Sequence, residues 1–388
     1  MQEIYFDNSA TTKVAPEAIT AAAIAMETDY GNASSLHSKG LAASRRLSQA
    51  REVMAAILAV PAREIYFNSC GSEGNNTVLF GIANAYGKRG KKILISAIEH
   101  PSVIEPAKIL AQRGFTIEEI AVNRKGYVDL SDLEAKLTAD TILVSCQQVN
   151  NETGAIQPLT EIGLLIKALA KQAFFHIDGV QGFAKLPVDL AAWRADLYTA
   201  SGHKIHGPKG IGLLWIKGGV RVTPLIYGGG QENNLRSGTE NIPAIAAFAT
   251  AARLAADNRD ANALKMKEVR DTLWQELKEL VPEAVCNTDL AGNAAPHVLN
   301  VSFPQAKSEV LLHYLEAQKI YVSSGSACHS NKNTASHVLL AMGIRKDLAD
   351  CSLRYSFCPQ NTVEEAKTVA VATAQIVKEV RRFSGSKK

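Results

Sequence analysis

The sequence predicts an α/β protein built around a mostly parallel sheet with helices on both faces. Short apolar runs of strand-like composition alternate with stretches of helical periodicity through the middle of the chain. Residues 142–146, Ile-Leu-Val-Ser-Cys, lack the polar alternation of a half-exposed strand and fit one buried on both faces. At roughly 100–200 residues per domain, the length of 388 residues indicates two or three domains.

The predicted strands of the first part of the chain are separated in several places by helical segments. These strands are Ile65–Asn68, Lys92–Ser96, Thr141–Cys146, Phe174–Asp178, Leu197–Ser201 and Ile211–Ile216. Residues 162–173 carry apolar side chains at helical spacing between two of them. This strand–helix alternation favours crossover connections, and therefore a parallel sheet.

The last third of the chain predicts a smaller α/β domain. Its composition turns polar at residues 257–263, and a long charged helix is expected from Leu264 to Leu280. The elements expected after it are a strand at Val298–Phe303, a helix at Lys307–Gln318, a strand at Ile320–Val322 and a helix at Val363–Arg382. Strands and helices alternate here too, over a shorter length.

Composition and charge exclude several classes of protein. The chain has 42 Lys and Arg against 38 Asp and Glu, and this net charge of +4 is too balanced for a nucleic-acid binder. The six cysteines form no Cys-x-x-Cys pair, which argues against a disulfide framework and a zinc finger. We find neither a signal peptide nor a run of about 20 apolar residues, and we expect a cytoplasmic protein with no membrane partner.

The most informative motif is Ser201-Gly-His-Lys-Ile-His-Gly-Pro-Lys-Gly, which directly follows a predicted strand. Open α/β sheets bind ligands at the carboxyl ends of their strands, so a functional side chain is expected here. Lys204 is a candidate amine nucleophile that could form a Schiff base. Lys209 is the competing candidate, although its place between Pro and Gly favours a turn. An exposed loop lysine is the alternative for Lys204.

Asp178 ends another apolar strand, where a carboxylate is costly to desolvate without a cationic partner. The protonated pyridine nitrogen of pyridoxal phosphate is such a partner, and capping of the next helix is the alternative. Gly71 and Ser72 lie where a strand leads into an amphipathic helix, and the open N–H groups of such a turn suit a phosphate. Glycine-rich turns before helices are common, so this second signal is less specific.

His100 and Asn151 also follow predicted strands. His100 could stack on a planar cofactor or shuttle protons, and an ordinary loop histidine is the alternative. Asn151 follows the strand that ends near Cys146. Together with Lys204 and Asp178, these residues form a set of four strand ends suited to one small cofactor.

Residues 323–336 lack any bulky apolar side chain and predict an exposed, mobile loop in which Cys328 cannot be buried. His329 and Lys332 favour the reactive thiolate form of Cys328. The other five cysteines are expected to behave as small core hydrophobes. A single reactive thiol on a flexible loop suggests that the loop moves the cysteine between the places where it reacts.

Arg354 follows this loop and could bind a substrate carboxylate through a bidentate fork, or form a surface ion pair. A zinc site built from His203, His206 and Cys328 matches no closed structural spacing. We therefore predict no metal site.

These residues together resemble the cysteine desulfurases of the NifS/IscS type, in the class V aminotransferase group of fold-type I pyridoxal phosphate enzymes. The resemblance runs from Tyr5-Phe-Asp-Asn-Ser-Ala-Thr-Thr12 to the last helix and is most specific around Lys204 and Cys328. It implies a large domain over residues 15–257, with a mostly parallel mixed sheet sandwiched by helices. A small α/β domain, formed by residues 1–14 and 258–388, would carry the cysteine loop 323–336.

The resemblance also implies the roles of the central residues. Lys204 would be the Schiff-base lysine, and Cys328 would become a persulfide. Asp178 would pair with the pyridine nitrogen of pyridoxal 5'-phosphate, and Gln181 would approach the ring hydroxyl. His100 would stack on the ring and help to move protons.

The remaining roles concern the phosphate and the substrate. The phosphate ligands would be Gly71, Ser72, Ser201, His203 and, from the second subunit of a homodimer, Thr239. Arg354 would bind the substrate carboxylate. Asn151 would lie against cofactor and substrate, with Asn150 as the weaker choice.

The implied activity is removal of sulfur from L-cysteine, giving L-alanine and a persulfide on Cys328. The acceptor would be an iron–sulfur scaffold protein, a thiolation protein or another carrier. A class V aminotransferase or a selenocysteine lyase would need Lys204 and Asp178 but would leave Cys328 without a role. A catalytically silent interaction protein is a further alternative, against which the presence of Lys204 argues.

Three departures from the family pattern bear on these roles. Cys70-Gly71-Ser72 stands where relatives usually have Gly-Ala-Thr, although a serine hydroxyl can still donate to a phosphate. Cys358 follows Arg354 closely, where relatives often have a small residue. The chain ends soon after the predicted final helix, which leaves the choice of acceptor open.

Overall fold

A computed structural model describes residues 3–324 and 335–385 of the chain. The strands are β1 (Ile4–Tyr5), β2 (Ile65–Asn68), β3 (Lys92–Ser96), β4 (Thr116–Ile120), β5 (Thr141–Gln147), β6 (Phe174–Asp178), β7 (Leu197–Ser201), β8 (Gly212–Ile216), β9 (Val285–Cys286), β10 (Val298–Ser302), β11 (Ile320–Tyr321) and β12 (Ser352–Ser356). The helices are α1 (Pro16–Thr28), α2 (Ser38–Leu58), α3 (Gly71–Tyr86), α4 (Pro101–Gln112), α5 (Leu130–Lys136), α6 (Leu159–Leu169), α7 (Ile242–Asp257), α8 (Arg259–Leu280), α9 (Ser308–Ala317), α10 (His337–Ala341), α11 (Lys346–Ala349) and α12 (Val363–Gly385). Over the described ranges, no helix is both long and apolar enough to cross a bilayer.

The central sheet has seven strands in the order β2-β8-β7-β6-β5-β3-β4. All neighbours from β7 to β4 are parallel, and only β8 runs opposite to its two neighbours. The predicted strands of the first part of the chain all belong to this sheet, with ends that agree to within one residue. The predicted α/β class, with a mostly parallel mixed sheet, is therefore confirmed.

Helices cover both faces of the sheet, which explains the unbroken apolar character of its strands. Every residue of β5 is buried, and the strand contributes side chains to two different cores. Leu143 lies in the core that includes Leu79 of α3 and Leu110 of α4. Val144 lies in the opposite core, which includes Ile166 of α6. A strand with two buried faces has no solvent-exposed side on which polar residues would be favourable.

A second core belongs to the last part of the chain and to its first residues. The sheet β12-β10-β9 is antiparallel, and β1 pairs with β11 in parallel. The apolar side chains of α8, α9 and α12 pack on these strands, together with Ile4 and Phe6. The N-terminal segment is thus part of a core that is otherwise built from residues after 265.

The structure differs from the predicted helix boundaries at residues 257–263. Helix α7 ends at Asp257 and α8 begins at Arg259, five residues before the predicted start. The polar composition of this stretch reflects exposure at the junction of two helices, where Asp257 and Asp260 both face solvent. Polar side chains on an exposed helical turn do not interrupt a helix.

Candidate active site

Polar residues follow the carboxyl ends of four neighbouring strands. Strands β7, β6, β5 and β3 are parallel and adjacent in that order, so their carboxyl ends lie along one edge of the sheet. Asp178 ends β6, and Lys204 follows β7 at the end of a 3₁₀ turn. Asn151 and His100 follow β5 and β3. The topology thus brings the predicted strand-end residues to one edge.

The Lys204 amine points toward the N-terminal segment of the chain. Its Nζ donates to the carbonyl oxygens of Ser9 at 2.6 Å and Ala10 at 2.7 Å. The side chain is half-buried, whereas Lys209 is exposed in the turn that precedes β8. Burial and position at the strand edge distinguish Lys204 from its competitor.

Asp178 is buried and held by two N–H donors. Its Oδ2 accepts from Asn75 Nδ2 at 2.7 Å, and its Oδ1 accepts from the Val180 backbone N–H at 3.0 Å. Both donors are neutral, so the buried carboxylate keeps its negative charge without a counter-ion. Its two oxygens can also accept further hydrogen bonds. The carboxylate can therefore accept a further N–H bond from a protonated ring nitrogen.

Gln181 is part of a buried network that reaches Lys204. Its Nε2 donates to the Ser9 carbonyl at 2.9 Å, the same oxygen that accepts from Lys204. Its Oε1 accepts from Lys185 Nζ at 3.1 Å. Burial, aided by the charge of Lys204, lowers the pKa of Lys185 to about 7. The Gln181 amide is therefore fixed from both ends.

His100 is the N-cap of α4, and its ring is surrounded by charged groups. Nδ1 of its ring lies 3.1 Å from the Ser102 backbone N–H and 2.8 Å from the Ser102 hydroxyl. Burial lowers the pKa of His100 most, Asp178 opposes that shift, and Lys204 and His337 add to it. These mutual effects place His100 within electrostatic reach of both central residues.

The start of α3 lies close to the end of β7 and to the turn that follows β6. Helix α3 begins at Gly71, and a Cβ at Gly71 would lie only 2.6 Å from a methyl group of Val180. The same Cβ would lie 3.7 Å from Ser201 Cβ, so Ser201 adjoins this helix N-terminus. The buried Ser201 hydroxyl has no hydrogen-bond partner among the residues described. A phosphate at this helix N-terminus would accept a hydrogen bond from the Ser201 hydroxyl. It would also accept hydrogen bonds from the free backbone N–H groups of the first helical residues, such as Ser72.

His203 lies beside this cradle in a partly buried position. Its Nδ1 is 3.2 Å from Thr11 Oγ1. Burial, together with the nearby lysines Lys204, Lys209 and Lys185, lowers the pKa of His203 to about 4. The imidazole is therefore neutral near pH 7 in the absence of an anion, and an approaching phosphate would favour its charged form.

Arg354 lies in the middle of β12, and its guanidinium contacts the segment that follows β5. Its Nη2 pairs with Asp7 Oδ1 at 2.8 Å, and its Nη1 donates to the Asn151 carbonyl at 3.1 Å. Its buried Nε finds no acceptor within the described part of the chain. The contact through the Asn151 backbone joins two predicted site residues. The Asn150 side chain instead stabilises the turn that follows it, where its Oδ1 accepts from the Glu152 and Thr153 N–H groups.

Two predicted site residues are not brought to this edge by the described chain. Thr239 is exposed, in a segment anchored to α3 by the ion pair between Arg236 and Glu73 at 3.1 Å. Cys328 lies outside the described residues. The chain before its loop is held where Ser323 and Arg354 exchange backbone hydrogen bonds, and the chain after it where Ser336 donates to a buried glutamate.

The expectation that the other five cysteines are core hydrophobes holds only in part. Cys146 and Cys351 are buried, whereas Cys70, Cys286 and Cys358 are half-buried. Cys70 is the N-cap of α3, where its sulfur accepts from the Glu73 N–H at 3.5 Å. A capping role places its side chain at a helix end and not in a core.

Several residues of the site were missed by sequence reasoning. They are Asp7, Asn75, Glu99, Ser102, Glu152 and Lys185. Glu99 is fully buried beside His100, and burial raises the pKa of its carboxyl well above the usual value. Two of them could have been found from their positions in the sequence. Asn75 lies in the helix that begins at the predicted phosphate ligands Gly71 and Ser72, and Ser102 lies two residues after His100. The contact of Asn75 with Asp178 requires the folded chain, whereas that of Ser102 with His100 is a local helix cap.

Comparisons with known proteins identify the family of this chain. The aminotransferase class V family profile matches residues 4–369. A cysteine desulfurase of Trichormus azollae is 39% identical over 384 residues, covering 99% of this chain and 95% of its own. A solved NifS-like protein superposes with a TM-score of 0.92 at 36% identity, covering 97% of this chain and all of its own. The protein SspA, solved in complex with cysteine, has a TM-score of 0.80 at 29% identity, covering 92% and 99%.

The fold and the family match define the class: a fold-type I enzyme of the pyridoxal-phosphate-dependent group. The chain belongs to the aminotransferase class V family and, within it, to the cysteine desulfurases.

Proposed function

We propose that this protein is a pyridoxal-phosphate-dependent cysteine desulfurase that removes sulfur from L-cysteine and releases L-alanine. The observation that carries this function is the placement of Lys204 and Asp178 at adjacent strand ends. The chain carrying this pair aligns over 99% of its length with a cysteine desulfurase. The cysteine-bound structure of the related SspA supports L-cysteine as the substrate.

The strand-end residues fit the cofactor. Bound pyridoxal 5'-phosphate would supply an electron sink for negative charge on the substrate Cα. Asp178 would hold the ring nitrogen in its protonated form, and Gln181 would contact the ring hydroxyl. His100 would lie over the ring. Lys204 would bind the cofactor through its amine and, once displaced by substrate, take the Cα proton.

The phosphate would lie at the N-terminus of α3. The backbone N–H of Gly71 and the hydroxyl groups of Ser72 and Ser201 would donate to the phosphate there, and His203 would add a ring N–H. The unpartnered Ser201 hydroxyl supports this assignment, within the residues described. Thr239 would reach the phosphate from a second subunit.

Arg354 would bind the carboxylate of L-cysteine beside Asn151. The buried Nε of Arg354 lacks a partner in the described ranges, so it can donate to an incoming carboxylate oxygen. Sulfur transfer would then occur at Cys328. Its thiolate attacks the substrate sulfur, an S–S bond forms as the Cβ–S bond breaks, and the electron pair left on Cβ takes up a proton. The products are L-alanine and a Cys328 persulfide.

We infer a large domain over residues 15–257 and a small domain formed by residues 1–14 and 258–388, acting as a cytoplasmic homodimer. Exposed apolar side chains near the first helices support contact with a second copy: Ile19, Met26, Tyr30 and Leu36. The persulfide would be passed to a sulfur-acceptor protein, either an iron–sulfur scaffold or a thiolation protein.

The Cys328→Ala variant tests this function. We expect the variant to keep the visible absorbance of the bound cofactor but to form neither sulfide nor alanine from L-cysteine. Cys286→Ala, at a half-buried thiol, is the matched control and should keep full activity. Mass spectrometry of the wild type after L-cysteine should find one added sulfur on Cys328.

Other results would identify a different function. Desulfuration by Cys328→Ala at the wild-type rate would reject the assigned role of that cysteine. Transfer of the amino group to a keto acid, without sulfide from cysteine, would identify an aminotransferase. Activity restricted to selenocysteine would identify a selenocysteine lyase.

A further inference from the structure

A chain of hydrogen bonds joins Asp178 to the ring of His100. Asn75 Nδ2 lies 2.7 Å from Asp178 Oδ2 and 2.9 Å from Ser102 Oγ. Ser102 Oγ in turn lies 2.8 Å from His100 Nδ1. These residues come from β6, α3 and the start of α4, so one hydrogen-bonded path connects three elements of the chain.

The direction of each hydrogen bond follows from the carboxylate. Asn75 must present its NH₂ group to Asp178, because a flipped amide would place its oxygen against a carboxylate oxygen. The same NH₂ group reaches Ser102 Oγ, so that oxygen accepts and its own proton is directed to His100 Nδ1. This orientation leaves Asn75 Oδ1 buried and without a partner in the part of the chain described. An unsatisfied acceptor is tolerated here because the carboxylate determines the orientation.

A second donor points at the same ring nitrogen. His100 caps α4, and the Ser102 backbone N–H donates to Nδ1 at 3.1 Å. A backbone N–H cannot rotate away or become an acceptor. Nδ1 therefore keeps its lone pair, and the ring proton of the neutral imidazole is on Nε2.

The charged groups around His100 act on it with opposite signs. Asp178 favours the imidazolium form, whereas Lys204 and His337 oppose it. Burial opposes the imidazolium form most strongly and lowers the pKa of His100. The N-terminus of α4 adds a positive potential at the same place, which also favours neutral imidazole.

We propose that Ser102 and Asn75 are positioning residues that hold His100 as the neutral tautomer with its proton on Nε2, so that His100 acts as a hydrogen-bond donor and not as a base. Neutral imidazole at a helix N-terminus is known to polarise a substrate group through its N–H. Nε2 then has no lone pair for the substrate proton, and proton acceptance is left to Lys204. This role rests on the proposed function, because it assumes that substrate and cofactor bind at this edge.

Nitrogen-15 NMR of the histidine-labelled holoenzyme tests this assignment directly. His100→Gln identifies the His100 signals. We expect wild-type His100 to show an unprotonated Nδ1 and a protonated Nε2 at pH 7. Ser102→Ala removes the hydroxyl donor and should raise the pKa of His100 by about 0.5–1 unit. Ser102→Thr keeps the hydroxyl and should resemble the wild type.

Three results would overturn the assignment. They are imidazolium at pH 7 in the wild type, a proton on Nδ1 at that pH, and identical titration of His100 in Ser102→Ala and wild type. The NMR readout does not depend on turnover. If the expected tautomer were found in a protein that releases no alanine from cysteine, the proposed function would fail and the assignment would stand.

Discussion

Arg354 Nη2 lies 2.8 Å from Asp7 Oδ1 in an ion pair that joins β12 to the N-terminal segment across 347 residues of sequence. The Arg354 side chain is 6% exposed, and that of Asp7 is 20% exposed. Asp7 thus orients the guanidinium from one side while the Asn151 carbonyl holds it from another. These two contacts use two of the five guanidinium N–H donors, and the buried Nε, which faces no acceptor in the described residues, is among those left for a ligand.

Replacing Arg354 by lysine should weaken binding of the substrate carboxylate. A lysine ammonium cannot reproduce the planar fork, so a charge-assisted hydrogen bond is lost. Such a bond contributes about 1.5–3 kcal/mol, which corresponds to a rise in KM for L-cysteine of about 10- to 100-fold. Steady-state alanine formation measures it, and kcat should change much less. Arg345→Lys, at an exposed arginine, is the control, and an unchanged KM in Arg354→Lys would reject the role.

Lys204→Ala should abolish the covalent link between protein and cofactor. The structure places Lys204 at the strand edge, half-buried, and Lys209 in an exposed turn. We expect borohydride reduction to fix the cofactor to wild type and to Lys209→Ala but not to Lys204→Ala. Peptide mass spectrometry locates the modified lysine. Labelling of Lys209 in the wild type would reverse the assignment.

Glu152 should make the free energy of unfolding depend on pH. Burial raises the pKa of its carboxyl from 4.5 to about 7, although Ser336 and Arg354 oppose the shift. The folded state therefore keeps a proton that the unfolded state has lost. The stabilisation by this group is complete below pH 4.5 and is lost as the pH rises through about 7.

Glu152→Gln removes this titration and can still accept from Ser336. Its free energy of unfolding, relative to that of the wild type, should increase by about 2–3 kcal/mol between pH 4.5 and pH 8. Urea denaturation of both holoenzymes at the two pH values measures the change. Glu134→Gln, at an exposed carboxyl, should show none. A constant difference between Glu152→Gln and wild type would contradict the prediction.

Thr239 should act across a subunit interface. It is exposed on its own chain. In a hybrid dimer of a Thr239→Ala subunit with a Lys204→Ala subunit, action in trans leaves one site with both residues intact. We expect the co-expressed, affinity-separated hybrid to desulfurate cysteine, although each parent homodimer is impaired. An inactive hybrid would place Thr239 in the site of its own subunit.

Much of the sheet was predictable because the burial of each strand is visible in the composition of its own few residues. The side chains of β5 enter two opposite cores, so the strand is apolar at almost every position. Local composition also explains the error at the start of α8, which begins five residues before its predicted start. Polar residues around Asp257 indicate exposure, and exposure is compatible both with a loop and with the helical junction that the structure shows.

The sequence by itself determined the α/β class, the strands of the central sheet and the candidates Lys204 and Asp178, because motifs at strand ends are contiguous in the chain. Only the tertiary structure decided which groups hold them. The contact from Asn75 to Asp178 spans 103 residues, and that from Ser336 to Glu152 spans 184. Neither local periodicity nor spacing encodes such pairs, because they form only when separate elements pack and buried polar atoms must find partners.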